Sequence, residues 1–246
     1  VGAVEEGRTV FENIRKFLTY ILTSNVPELI PYLAFAFARV PLALTVIQIL
    51  AVDLGTDMVP ALGLGAEPPD AGVMRRPPRA RQDRLLTAGL LVRAYAFLGV
   101  LETVAAMAAF FFVLHGAGWR WGDELPATSL PYRQATTACL TAIVLMQIVN
   151  VHLCRSRRRS IAWRPLFGNW LIWAGIVAEV LLILLIDYTG FGNALFGTAP
   201  IGYRVWVFVL PFALTMLALD EVRKAIVRSR KAGCSAATAE GEAWGA

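Results

Sequence analysis

The sequence predicts an all-α polytopic membrane protein: six transmembrane helices with an unwound segment in the second. Three observations carry this reading. Of the 246 residues, 57% are hydrophobic and only 17% charged, with a mean hydropathy of +0.58, which is too apolar for an ordinary soluble domain. Six apolar runs come close to or exceed the ~20 residues that an α-helix needs to cross the hydrocarbon core. Basic residues gather in alternate connections, as "MRRPPRARQDR", "CRSRRRSIAWR" and "EVRKAIVRSRK". The positive-inside rule then places both basic loops and both termini in the cytoplasm, and an even number of spans satisfies that placement.

Taken in order, residues 1–16 hold the polar, amphipathic stretch "EEGRTVFENIRKF", expected to project into water as a stalk helix. Residues 17–230 form the six-helix transmembrane domain, with spans near Phe17–Ala38, Leu42–Leu64, Leu86–Leu114, Ala135–Leu153, Leu166–Ile186 and Tyr203–Leu219. The short turn "ARVPLA" makes the first two spans a hairpin. The connection from Gly65 to Arg84 carries "EPPD" and "RPPR", whose prolines favour an extended link. The outer connection from His115 to Tyr132, with Gly116, Gly118, Trp119 and Trp121, reads as a capped interfacial turn, and Trp163, Trp170 and Tyr203 also fall at span ends, where aromatic belts form. His115 and His152 lie at span ends as well. Residues 231–246, small and polar, are expected to be a disordered cytoplasmic tail.

Several function classes drop out. The net charge of +5 does not mark a nucleic-acid binder, because the basic residues are distributed by topology. Recruitment of anionic lipid by "RSRRRS" is the other use of such a cluster. Cys139, Cys154 and Cys234 have no metal-ligand or paired spacing. No inverted repeat, the mark of many secondary transporters, is visible. The first residues, "VGAVEEGR", carry neither an initiator Met nor a basic-then-apolar leader, so the chain is expected to be the later part of a longer one.

Against this apolar background two short segments stand out, "TSNVPEL" in the first span and "VDLGTDMVPA" in the second. A carboxylate at the bilayer centre costs ~2.5–3.5 kcal/mol on insertion scales and is by default a functional-site candidate. Asp53 and Asp57 stand four apart, and Gly55 and Pro60 weaken the helix around them. A partly unwound segment presents carbonyls such as those of Val52 and Leu54 beside the two carboxylates and the Thr56 hydroxyl. Asn25 and Glu28 share a face of the first span, next to Pro27 and Ser24. Oxygen donors of this kind suit hard cations, and carboxylates crowded together in low dielectric must hold cations or protons. The predicted cation ligands are therefore Asn25, Glu28, Asp53, Thr56 and Asp57, with Ser24, Asn150 and Glu179 as weaker candidates. Glu102 and Gln147 serve equally well as interhelical hydrogen-bonding groups. The competing reading makes all these acids structural, holding the bundle by buried hydrogen bonds.

The motifs "AVEEGRTVFENIRKFLTYILTSNVPE", "QILAVDLGTDMVPALGLGAEPPD", "MRRPPR" and "LDEVRKAIVR" together resemble the C-terminal membrane half of a type II P-type cation-transporting ATPase. The resemblance runs to about Arg230. It implies that the six spans are the fifth to tenth of ten, and that the family's ion ligands fall on Asn25, Glu28, Asp53, Thr56 and Asp57. "SNVPE" and "DLGTD" look more like the sodium/potassium and proton/potassium pumps than the sarcoplasmic calcium pumps; Ser24 stands where proton/potassium pumps carry Lys. Asn150 stands where family members often have an acid.

The resemblance further implies the membrane part of an ion-translocating ATP hydrolase, in the plasma membrane, moving sodium, potassium or calcium-type cations by alternating access. The family's phosphorylated "DKTGT" motif is not in the sequence, so no catalytic or cofactor-binding residue is predicted here. ATP and Mg enter only through cytoplasmic domains, which with the first four spans are the expected partners, alongside lipid and the transported cation. The "VGAVEEGR" start resembles the exit from the phosphorylation domain. The alternative is a truncated, non-catalytic membrane protein that assembles with a separately encoded pump half or other partner. A gradient-driven transporter or channel using the same carboxylates is a further class.

Overall fold

The computed structural model describes residues 2–69, 72–75, 84–157, 159–161 and 167–243, and among them every regular element is helical. All of "RPPR", Arg158 and Trp163 lie outside the described residues. Six helices are long and apolar enough to cross a membrane: Gly2–Ala38, Val46–Gly65, Ala88–Gly116, Leu130–Cys154, Trp170–Tyr188 and Tyr203–Ser229. The chain is a multi-pass membrane protein, and each helix sits on one of the predicted apolar runs.

The first span and the stalk form one continuous helix, α1 (Gly2–Ala38), which carries Pro27 and Pro31 inside it without breaking. Neither proline has an N–H, so the carbonyls of Thr23 and Pro27 lose their helical donors. The second span consists of α2 (Val46–Leu50), a π-helical segment over Ala51–Thr56, and α3 (Met58–Gly65). The break predicted around "DLGTD" thus takes the form of a widened turn. The Asp57 N–H donates to the Val52 carbonyl at 2.9 Å, and the Thr56 hydroxyl donates to the same oxygen at 3.0 Å. The Val52 carbonyl, expected to be free, is therefore doubly engaged. An unpaired peptide group at membrane depth costs several kcal/mol, and adding one residue to the turn keeps the bonds that an extended segment would lose.

The third span contains a second π-helical stretch, Val92–Gly99, between α4 (Ala88–Leu91) and α5 (Val100–Gly116). The central helix is α6 (Leu130–Cys154), packed against α1, α5 and the fifth and sixth spans. α7 (Trp170–Tyr188) is followed by the short α8 (Gly190–Phe196), whose first turn is capped by the Thr189 hydroxyl accepting from Gly192 N–H and whose end turns through Gly197 at φ +66°. α9 runs Tyr203–Ala243. On the outer connection Trp121 stacks on Phe111 with ring centroids 5.9 Å apart, and Trp119 sits 6.1 Å from Trp121.

Buried apolar residues fall into two clusters. One contains Leu44, Val52, Phe110, Ile143 and Ile183; the other contains Tyr20, Ala61, Leu98, Met146 and Ile176. Along every one of the first five spans the chain passes from one cluster to the other, and Glu28, Asp57 and Glu179 lie at the crossing. The second and fifth spans approach closely there: a Cβ on Gly55 would come within 2.5 Å of Leu182, and one on Gly175 within 2.7 Å of the Pro60 ring. Small residues permit such contact between membrane helices. Gly175→Val is therefore expected to destabilise the bundle by about 1–3 kcal/mol through overpacking, seen as a lowered thermal midpoint in nanodiscs; an unchanged midpoint refutes the close contact.

At the stalk end, Glu67 joins four elements. Its carboxylate pairs with Arg155 at 2.9 Å and accepts from Asn169 at 3.0 Å, while its carbonyl accepts from Asn13 of α1 at 2.6 Å. Asn169 also donates to the Gly63 carbonyl at 2.8 Å. Nearby, Asp220 of α9 is gripped by Arg93, Arg223 and Lys224 at 3.4, 2.7 and 3.0 Å.

Candidate cation site

The polar layer between the two apolar clusters is organised around Tyr20. In α1, Tyr20, Ser24 and Glu28 are spaced four apart and all three are buried, which places them on one face. The Tyr20 hydroxyl lies 3.3 Å from an Asp57 carboxylate oxygen and 3.2 Å from a Glu179 oxygen. One phenolic hydrogen thus stands between two acids on two other spans. Ser24 faces the Asp57 carboxyl and donates to the Ile21 carbonyl at 3.1 Å. The Thr56 hydroxyl is 3.5 Å from Asp57.

Four carboxylates are buried in this layer: Glu28 at 7% exposure, and Asp57, Glu102 and Glu179 at 0%. Each has one oxygen with no hydrogen-bond partner. Glu28, Asp53, Asp57, Glu102 and Glu179 are within electrostatic reach of one another through shared neighbours. None has a described Lys or Arg partner: the ion pairs found among the described residues involve Glu67, Asp220 and Glu221 at the stalk end. Buried charges are ordinarily paired or hydrogen-bonded on all sides. Four unpaired acids with idle oxygens make an arrangement built to accept positive charge.

On the far side of Tyr20 a polar file continues through the third and fourth spans. Gln147 donates to Glu102 at 3.4 Å, Asn150 donates to Gln147 at 3.0 Å, and the Cys154 thiol donates to Asn150 at 3.3 Å. Among the described residues, no three His, Cys, Asp or Glu side chains converge tightly enough to hold a metal ion by themselves. An ion in this layer would be held by mixed oxygens, with hydroxyl, amide and carbonyl donors beside the carboxylates, as suits alkali and alkaline-earth cations.

Of the sequence candidates, the fold gathers Ser24, Glu28, Thr56, Asp57 and Glu179 into one layer and puts Asn150 at its stalk-side edge. Asp53 is half-buried and Asn25 exposed on α1, so in this chain Asn25 is not enclosed with the others. Tyr20 was not among the candidates. Its signal was legible as the first of three polar residues at a spacing of four, but a lone tyrosine in an apolar run is ordinarily interfacial or core. Asp187, fully buried with its carboxylate 2.8 Å from the Thr141 hydroxyl, belongs to a separate pocket of polarity beyond the apolar cluster.

Comparison with known proteins follows the same line. A family model described as cation transporting ATPase, C-terminus, matches residues 41–226. The chain is 33% identical over 258 residues to the sodium/potassium-transporting ATPase subunit alpha-4 of Rattus norvegicus. It is 33% identical over 259 residues to subunit alpha-2 of Gallus gallus and 32% identical over 262 residues to the alpha subunit of Drosophila melanogaster. Each alignment takes in 95% of this chain and 25% of the relative, so the chain spans a quarter of the length of these proteins.

Proposed function

Because the chain belongs to the family of cation-transporting ATPase C-termini, we propose that it is the ion-binding transmembrane domain of an ATP-driven cation pump of the plasma membrane. The single observation that carries this reading is the layer of four buried carboxylates around Tyr20, each with an oxygen that has no hydrogen-bond partner. Glu28, Asp57 and Thr56, with Asp53 and Asn25 at the rim, hold the transported cation; Ser24 and Glu179 orient or complete that set.

ATP hydrolysis, with its magnesium, belongs to cytoplasmic domains carried by the rest of the pump. The first four spans cover the side on which Asn25 is exposed and Asp53 half-exposed, closing the site from that flank. Coupling runs through α1, because the stalk and Glu28 share one uninterrupted helix and a displacement of its water-exposed end is carried rigidly to the site. The Asn13 bond to the Glu67 carbonyl ties that movement to the end of the second span. Both termini and the basic loops face the cytoplasm, as the distribution of Arg and Lys requires.

The test is phosphorylation from ATP in a pump assembled from this chain with the cytoplasmic domains and first four spans. Phosphorylation that rises and saturates with sodium, potassium or calcium is the expected result. Phosphorylation indifferent to every cation overturns the reading.

A further inference from the structure

We propose that Glu102 of the third span is a cation ligand, placing an alkali or alkaline-earth cation between the third and fourth spans beside Asp57. This rests on the cation-binding reading above and extends it to a span that the sequence motifs do not mark.

Glu102 is fully buried. One of its oxygens receives only a long bond from Gln147, at 3.4 Å, and the other has no partner. Asp57, Glu28 and Tyr20 are its electrostatic neighbours, so every charged group facing it across the layer is another acid. The basic residue of its own span, Arg93, lies nine residues earlier and is committed to Asp220 and the Leu153 carbonyl. A residue whose work was only to bond Gln147 and lock two helices could be an amide or hydroxyl, free of repulsion from Asp57 and Glu28. A carboxylate is favourable there only with positive charge beside it. The surroundings supply further oxygens, the idle oxygen of Glu102, that of Asp57 and the Tyr20 hydroxyl, while Gln147 turns its amide nitrogen to Glu102 and its oxygen to Asn150, at 3.0 Å. The free oxygen is closed off from solvent and has no hydrogen-bond partner.

The test uses the assembled pump and reads the concentrations of sodium, potassium and calcium that give half-maximal phosphorylation, together with equilibrium occlusion of radioactive sodium, rubidium and calcium. Glu102→Gln keeps the volume and still accepts from Gln147, so it is expected to fold with an unchanged thermal midpoint. It should raise the half-saturating concentration about ten- to hundredfold, the size of one lost charge-assisted contact, and lower the number of ions occluded. Asp187→Asn, which neutralises an equally buried acid outside the layer, should change neither reading. A Glu102→Gln pump with wild-type cation dependence and occlusion overturns the Glu102 assignment alone, since a proton-holding or packing role is mimicked by glutamine. An equal shift in Asp187→Asn also overturns it, by making the effect non-specific. A wild-type pump with no cation dependence overturns the underlying functional reading and this assignment with it.

Discussion

Asp57→Asn is expected to raise the cation concentration for half-maximal phosphorylation in the assembled pump at least about a hundredfold, equivalent to ~3 kcal/mol of lost ion binding. The substitution preserves shape and keeps an acceptor for the Tyr20 and Thr56 hydroxyls, which approach Asp57 at 3.3 and 3.5 Å. What it removes is the charge at the centre of the layer, on the residue that meets α1 and faces Glu28, Glu102 and Glu179 at once. A second reading separates charge from packing. Ion binding stabilises a folded protein in proportion to the logarithm of ligand over Kd, so saturating cation should raise the thermal midpoint of the wild type and not of Asp57→Asn. With no cation present, the variant should be at least as stable as the wild type, because it relieves repulsion among buried acids. Should both Asp57→Asn and Glu28→Gln leave cation dependence untouched, the ligand assignment fails and these acids are hydrogen-bonding struts.

Glu67→Ala should produce the largest loss of stability, about 3–5 kcal/mol, the range found when one partner of a buried ion pair is removed. The Arg155 and Glu67 side chains are 5% and 1% exposed, and the same carboxylate accepts from Asn169, the N-cap of α7. Removing it loosens the ends of the second, fourth and fifth spans together. Unfolding of the chain in nanodiscs, followed by heat or denaturant, gives the difference directly. A change below ~0.5 kcal/mol, the size of an ordinary surface substitution, would refute the role of Glu67 as a structural node. Asn13 donates to the main-chain carbonyls of Glu67 and Gly65 at 2.6 and 3.1 Å and accepts from Lys16 at 2.8 Å, so Asn13→Ala leaves the Glu67–Arg155 ion pair in place and should be milder, and the contrast separates the ion pair from the stalk contact.

The six spans, their approximate ends and the existence of a polar zone at membrane depth were legible in the sequence. The cost of placing each residue in lipid is local and roughly additive, so "TSNVPEL" and "DLGTD" declare themselves as exceptions inside apolar runs. Even the break in the second span was legible, since Gly55 and Pro60 act through their own backbones.

The form of that break was not. A π-helical turn arises because the Val52 carbonyl must be satisfied in a medium without water, and because α7 approaches until Leu182 lies against Gly55. Which polar side chains meet was likewise decided by tertiary structure. Tyr20, Glu102 and Gln147 resemble many other lone polar residues when met one span at a time. What distinguishes them is the rotation of α1, α5 and α6 about their axes, which turns these side chains toward the buried polar groups of other spans. The sequence by itself determined which segments enter the membrane and which carry acids with them; only helix packing determined which acids face one another without a partner, because convergence depends on the relative rotation and depth of helices that no single span encodes.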